Sequence, residues 1–440
     1  MQHSLRKLTV LSSICLAMAG TAMAQGGSLI NPAADTPAFK PSGKLWGYAF
    51  GDYAFKGSGD DAQRGGSNQY SRMTANSNLF QWRRIYLGYN YDISSKFSAE
   101  FLLAAEDDFN NNLIGQGTGD VLSDSKFSEY VKLANIRWKG IYKNADLVFG
   151  QTNTPGYAKQ GNNNQTAEEV WGYRSIERTI ADIHRTPSFD FGLSLQGTFD
   201  KKGNFGYTFM VGNGQGARPE NDNFKAFYGS LFAKFMDKKL VFDLYSDYQK
   251  LVWNNSVDLK AGKYHSDRNM YKLFGAYTTP KFTVGAEVFM NFLMGDVAVT
   301  GKVGTDTASS TLYRSTKAMG FSVFTKGRIY KDQLGFFARY DNFDPTGNLS
   351  NITGIQNVNV TGYKANTSQY DPTNKESFIT FGLDYTPFKN MHIMPNVWMN
   401  TYDCALSGTG TQSYKLSSTA NGSKGTDAVY RLTFYYIYGK

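Results

Sequence analysis

Four histidines and two cysteines are the chain's whole supply of imidazole and thiol side chains. His184, beside Asp182 and Ser188, is the best hydrolytic candidate. A relay needs the carboxylate on one ring nitrogen and the hydroxyl on the other, and sequence proximity alone does not give that geometry. His184 therefore reads as an ordinary loop histidine, and His265 and His392 stand apart from it. No CxxC or HExxH occurs, so zinc is unsupported. Glu106-Asp107-Asp108 followed by Asn110-Asn111-Asn112 is rich in oxygen donors but lacks the Asp-x-Asp-x-Asp-Gly spacing of a calcium loop, and reads as a solvated polar loop. Gly212-x-Gly214-x-Gly216 follows a strand-like run but opens no helix, which excludes a dinucleotide site. Neither a catalytic residue, nor a metal, nor a cofactor is expected.

The elements that carry these residues are of one kind. The first 24 residues form a separate segment: Arg6 and Lys7 precede an apolar run from Leu8 to Ala19, and Ala22-Met23-Ala24 supplies a small-x-small site, the pattern of an export signal. Residues 25–43 are small and polar, an extended lead-in on the periplasmic side. From residue 44 to 440 stretches of about ten residues alternate apolar with polar, as in Phe189, Phe191, Leu193 and Leu195 against Asp190, Gly192, Ser194 and Gln196. That period puts successive side chains on opposite faces of a strand. Sixteen such stretches begin near residues 44, 80, 96, 129, 145, 188, 204, 224, 240, 268, 281, 314, 333, 376, 391 and 427.

Their connections alternate between short (92–96, 139–144, 200–203, 236–239, 279–281, 327–333, 387–390) and long (such as 57–78, 107–128, 154–187, 343–375, 402–425). A soluble sandwich has no reason to collect its short turns at one end. A transmembrane antiparallel β-barrel does, with short periplasmic turns and long extracellular loops. The expected fold is therefore all-β, a barrel of 16 strands, integral to the outer membrane of a Gram-negative bacterium. No apolar run after residue 24 is long enough for a membrane-spanning helix. In the last strand Tyr430, Leu432, Phe434, Tyr436 and Tyr438 share one face, suited to lipid and similar to the C-terminal signal read by the barrel-assembly machinery, although the chain ends on Lys440.

Gly150-Gln151, Thr154-Pro155, Ser175-Ile176-Glu177-Arg178, Phe191-Gly192 and Gln196-Gly197, followed by Tyr207 and Val211-Gly212-Asn213-Gly214, resemble the phosphate-selective porin O/P family in residues and order. Lys44–Tyr53 and Arg83–Tyr91 are similar to its first two strands, and the chain departs from it in reading Thr154-Pro155-Gly156-Tyr157 where the family has Thr-Pro-Phe-Gly. The resemblance implies a trimeric sixteen-stranded channel whose third long loop, 154–187, folds inward and narrows the pore. On that loop Lys159, Arg174, Arg178 and Arg185 would face the solute together with Glu168, Glu169, Glu177 and Asp182, four bases against four acids, with His184 among them.

With the more apolar face of each strand turned to lipid, Arg84, Arg137, Lys234, Lys272, Lys326, Arg339 and Arg431 face the lumen, as do Asp52, Glu100, Glu106, Asp190, Asp243, Asp247, Glu287, Asp341 and Asp384. Seven bases against nine acids are not the one-sign ladder an anion channel needs. The reading is a passive channel for small hydrophilic solutes or ions, a homotrimer in contact with outer-membrane lipid, with no nucleic acid partner. An anion- or phosphate-preferring channel is the alternative, followed by a barrel adhesin or surface enzyme acting through its loops, and a secreted soluble β-protein. The net charge of +9 (46 Lys+Arg, 37 Asp+Glu) gathers in the short turns, which hold eleven bases and four acids.

Overall fold

The computed structural model describes residues 39–60, 70, 73–106, 129–156, 170, 178–184, 188–220, 224–250, 267–303, 309–345, 358–365, 374–404 and 425–439. The expected export signal and most of the lead-in lie outside the described residues. The chain divides into Met1–Lys40 and Pro41–Lys440, and all the strands belong to the second unit.

The strands are β1 (Ser42–Ser58), β2 (Ser77–Asp92), β3 (Phe97–Glu106), β4 (Glu129–Tyr142), β5 (Ala145–Asn153), β6 (Phe189–Thr198), β7 (Phe205–Gly212), β8 (Ala226–Phe235) and β9 (Leu240–Lys250). They continue as β10 (Asp267–Thr278), β11 (Phe282–Val303), β12 (Ser309–Tyr330), β13 (Leu334–Asp344), β14 (Val358–Ala365), β15 (Asn374–Phe388), β16 (Met391–Cys404) and β17 (Gly425–Tyr438). Except for β14, each pairs antiparallel with the next strand of the wall, and β17 pairs back onto β1, with Gly47 opposite Tyr438 and Phe55 opposite Tyr430. Closure removes the sheet edges, whose backbone groups would otherwise have no partners in an apolar solvent.

Of the seventeen strands among the described residues, sixteen make the barrel wall. The other, β14, pairs with the far end of β11 at Val297–Val303, while β13 passes its hydrogen bonds directly to β15. It lies in the long connection 343–375, where the alternation gave no separate signal.

Each of the seven connections β2–β3, β4–β5, β6–β7, β8–β9, β10–β11, β12–β13 and β15–β16 is two to six residues long, and all lie at one end with the ends of β1 and β17. The β8–β9 turn runs through Met236, Asp237 and Lys238 at φ 53°, 55° and 65°. In the β6–β7 turn the Asp200 carboxylate accepts the backbone N–H groups of Asn204 (2.8 Å) and Phe205 (2.9 Å).

Leu231, Leu244, Leu273, Val288 and Phe321 are directly cross-paired along one row on β8 to β12 and are 40–53 % exposed. Contiguous large apolar side chains covering the outside of a closed sheet are incompatible with water as the facing solvent and suit hydrocarbon. The inner face is mostly polar but not wholly so. Tyr48 packs on Tyr86 (4.7 Å between centroids), Phe50 and Tyr435 inside the barrel.

Candidate functional site

Two β-bulges decide which bases reach the lumen. On β2, Phe50 pairs with Arg84 but the next residue, Gly51, pairs with Trp82, so Arg83 is the extra residue. A bulge lets two consecutive side chains lie on one side of the sheet. Arg83 and Arg84 are accordingly both buried within the barrel, while Trp82 and Ile85 face outward at 48 % and 37 % exposed. On β4 the same shift falls at Lys132, between Val131 and Leu133. Strict alternation assigns only Arg84 to the lumen; Arg83 and Lys132 are additions. The signal was present in the sequence: Trp82 and Ile85, like Val131 and Ala134, are lipid-type residues three apart, an odd spacing that one face cannot hold without an inserted residue.

Most of the other expected wall residues are buried or half-buried, and many interlock. Arg83 Nε meets Asp52 at 2.5 Å, Tyr70 donates to the same carboxylate at 2.9 Å, and Thr433 donates to its other oxygen. Arg431 binds Asn396 (2.7 Å) and the Tyr70 hydroxyl (3.1 Å). Arg84 and Lys132 both donate to the Tyr86 hydroxyl, at 2.8 and 2.7 Å. Arg137 spans Asp146 and Gln196, and Glu100 accepts from Asn135. Asp243 accepts from Ser230, and Lys272 pairs with Glu287 at 3.4 Å. Lys56 with Asp427 and Arg268 with Asp247 are buried pairs that contain residues beyond those expected. The backbone of Glu106 pairs with Arg84 across β2 and β3.

Among the loop candidates, Lys159, Glu168, Glu169, Arg174, Glu177 and Arg185 lie outside the described residues, and Arg178, Asp182 and His184 lie within them. The loop leaves and rejoins the wall at one place, where Thr154 N–H donates to Ser188 C=O at 3.1 Å. Its second half carries the one-turn helix α1 (Ile180–Ile183), N-capped by the Thr179 hydroxyl, which accepts from Asp182 N–H at 3.3 Å. Arg178 ties to Asp182 at 2.9 Å.

This segment is pinned to the wall opposite its origin. Ala181 N–H donates to Glu287 on β11 at 3.3 Å, Arg339 on β13 reaches both Asp341 and the Arg178 carbonyl, and Lys272 on β10 donates to Gly156 C=O at 3.2 Å. Ile180 and Ala181 are fully buried, and the His184 ring stacks on Phe343 at 3.5 Å with 12° between planes. The described segment Arg178–His184 thus lies against the inner face of β11 and β13. A cavity of about 20 Å³ remains between His184, Asp341, Glu376 and Trp398, room for about one water.

The geometry printed for His392 is not that of a relay. His184 stacks on a ring, and His392 presents the same nitrogen, Nδ1, to both Asp384 (2.9 Å) and Thr386 (3.2 Å). A hydrolytic relay needs opposite ring nitrogens for acid and hydroxyl. The glycine run at 212–216 closes β7 instead of cradling a phosphate. Gly214 and Gly216 adopt φ 79° and 65°, and Asp190 accepts the Gly214 N–H at 2.6 Å. A Cβ on Gly212 would stand 2.2 Å from that carboxylate. At the short-turn mouth the lumen opens into an 880 Å³ recess lined by Lys281, Lys326, Arg328, Asp384, Lys389 and His392.

Comparison with solved structures places this architecture among porins. An anion-selective porin from Comamonas acidovorans superposes with a TM-score of 0.51 at 12 % identity, covering 91 % of this chain and 100 % of its own. OmpF of Salmonella typhi in complex with daunomycin gives 0.50 at 13 % identity, covering 90 % and 97 %. At such identities the likeness establishes the fold, a sixteen-stranded barrel of the porin type. No family model and no curated protein matches the chain.

Proposed function

We propose that this barrel is a general porin of a Gram-negative outer membrane: a passive channel through which small hydrophilic solutes diffuse, with no chemical step. The observation that carries the reading is a closed barrel with a charged bore and an apolar exterior, with the segment Arg178–His184 held on its inner side by Glu287 and Arg339. As a constriction, that segment limits the size of what passes, while mixed charges on the wall orient polar solutes across it. The porin-type fold supports assembly as a homotrimer in the outer membrane.

Refolded protein added to a planar bilayer should give discrete conductance steps. Replacing Glu287 and Arg339 together by Ala releases the loop and should raise the step size. A silent bilayer defeats the channel; unchanged steps in the double variant remove this loop from the constriction.

A second reading is anion or phosphate preference, as in the porin O/P family. The order of motifs from Gly150 to Gly214 supports it, together with the inward bases Arg83 and Lys132. Against it, Asp146, Glu376 and Asp427 add carboxylates to the bore, which leaves the sign mixed. Reversal potentials in a salt gradient decide the matter, and a cation preference excludes it.

A further inference from the structure

The barrel unit Pro41–Lys440 holds 43 Lys+Arg (46 less Arg6, Lys7 and Lys40) and 36 Asp+Glu (37 less Asp35), a net +7. The seven short connections, taken as 92–96, 139–144, 200–203, 236–239, 279–281, 327–333 and 387–390, hold eleven bases and four acids, 11 − 4 = +7. Everything else in the unit balances at 32 against 32. The charge is also spread around the ring: 92–96 is neutral, 139–144 carries +2 and each of the other five carries +1.

Three of the four acids are already engaged. Asp92 pairs with Lys139 at 2.6 Å, Asp332 pairs with Arg328, and Asp200 accepts backbone N–H groups. Lys143, Lys201, Lys202, Lys238, Lys239 and Lys389 are exposed, and none forms an ion pair among the described residues.

Directly next to these lysines, on the outer face, the strand ends carry paired aromatic rings. Phe97 lies against Trp138 (5.6 Å between centroids), Phe199 against Tyr207 (5.0 Å), Phe205 against Phe235 (5.8 Å) and Tyr277 against Phe282 (6.0 Å). Phe199 and Phe388 are 68 % and 74 % exposed. Such rings settle at the level of lipid head groups. Lysines one to a few residues beyond them stand in the plane of the lipid phosphates, with alkyl stems long enough to follow the apolar surface. A soluble acidic partner would have no use for the adjoining ring belt.

We infer that the short-turn rim is a binding collar for anionic phospholipid head groups; this rests on the barrel being membrane-spanning. It is tested by reconstituting the protein in phosphatidylcholine bilayers doped with dibrominated phosphatidylglycerol or dibrominated phosphatidylcholine. Quenching of tryptophan fluorescence, to which lipid-facing Trp138 at this rim contributes, reports the lipids in contact. Wild type should favour the anionic lipid about three- to five-fold, and the preference should shrink in about 0.5 M salt. Changing the six lysines to Gln should bring the ratio close to one, whereas changing them to Arg should retain it. Equal quenching by both lipids in wild type, or a preference that survives in the Gln variant, overturns the collar. So does lost co-sedimentation of the Gln variant with cell-wall sacculi when its lipid quenching is unaltered, which would assign the rim to an anionic glycan. Failure of wild type to insert at all overturns the membrane reading beneath it, whereas insertion without preference overturns the collar alone.

Discussion

Arg83 and Arg84 are adjacent in sequence, yet both stay inside the barrel, because a base on the outer face at mid-membrane costs roughly 2–4 kcal/mol and a bulge avoids that cost. Asp52 is what makes the arrangement tolerable, since it sits between Arg83 and the Tyr70–Arg431 contact. Asp52→Asn should therefore destabilise the barrel by about 3 kcal/mol, leaving buried cations without their counter-charge. The urea midpoint of tryptophan fluorescence measures this, and a shift no larger than that of an exposed control such as Asp237→Asn would contradict it. Asp200 offers a pH test outside the membrane. The backbone N–H of Phe205, and then that of Asn204, hold its carboxyl below the ordinary value of 3.8. Because the folded group is the stronger acid, its contribution to the turn is complete above about pH 5 and is lost as pH falls through the folded value. Protection of the Asn204 and Phe205 amides, relative to their intrinsic exchange rates, should fall as the pH is taken below the ordinary carboxyl value of 3.8, and the fall should be absent in Asp200→Asn.

Among the elements, the inward loop and β14 illustrate opposite dependences. The loop is held by contacts that skip far along the chain, from Ala181 to Glu287 and from Arg178 to Arg339, so its position belongs to the closed barrel and not to its own residues. β14 hangs on one partner, the outer segment of β11, and takes no part in the ring of hydrogen bonds that β13 and β15 complete. Deleting residues 358–365 should therefore leave a barrel that still refolds and still migrates faster unheated than boiled on a gel. Loss of that heat-modifiable mobility would mean that β14 takes part in closure.

For the whole molecule the deciding fact is the inversion of polarity between inside and outside. Leu244, flanked by Leu231 and Leu273 in the apolar row, is 53 % exposed, while Asp243 beside it is fully buried. Leu244→Arg should cost about 2–4 kcal/mol in a lipid bilayer, read from chemical unfolding in vesicles. An effect below about 0.5 kcal/mol would place water, not lipid, on that face.

The sequence alone specifies sixteen of the strands, their order and the end at which the short turns lie. Those features follow from a two-residue period and from turn length, both local properties of the chain. It also determined that the excess charge belongs to the turns. Alternation alone assigns Asp52, Lys272, Glu287, Arg339 and Arg431 to the polar faces of their strands, and all five are buried. The odd spacing of Trp82 and Ile85 held the information about Arg83, though alternation read without a bulge passes over it. Closure of the sheet decides which charges meet, that β14 stands outside the wall, and that α1 lies against β11 and β13. The loop's contacts, Ala181 with Glu287 and Arg178 with Arg339, join residues more than a hundred positions apart, and no local period encodes them; they exist only once the sheet has closed and brought its far wall within reach of the loop.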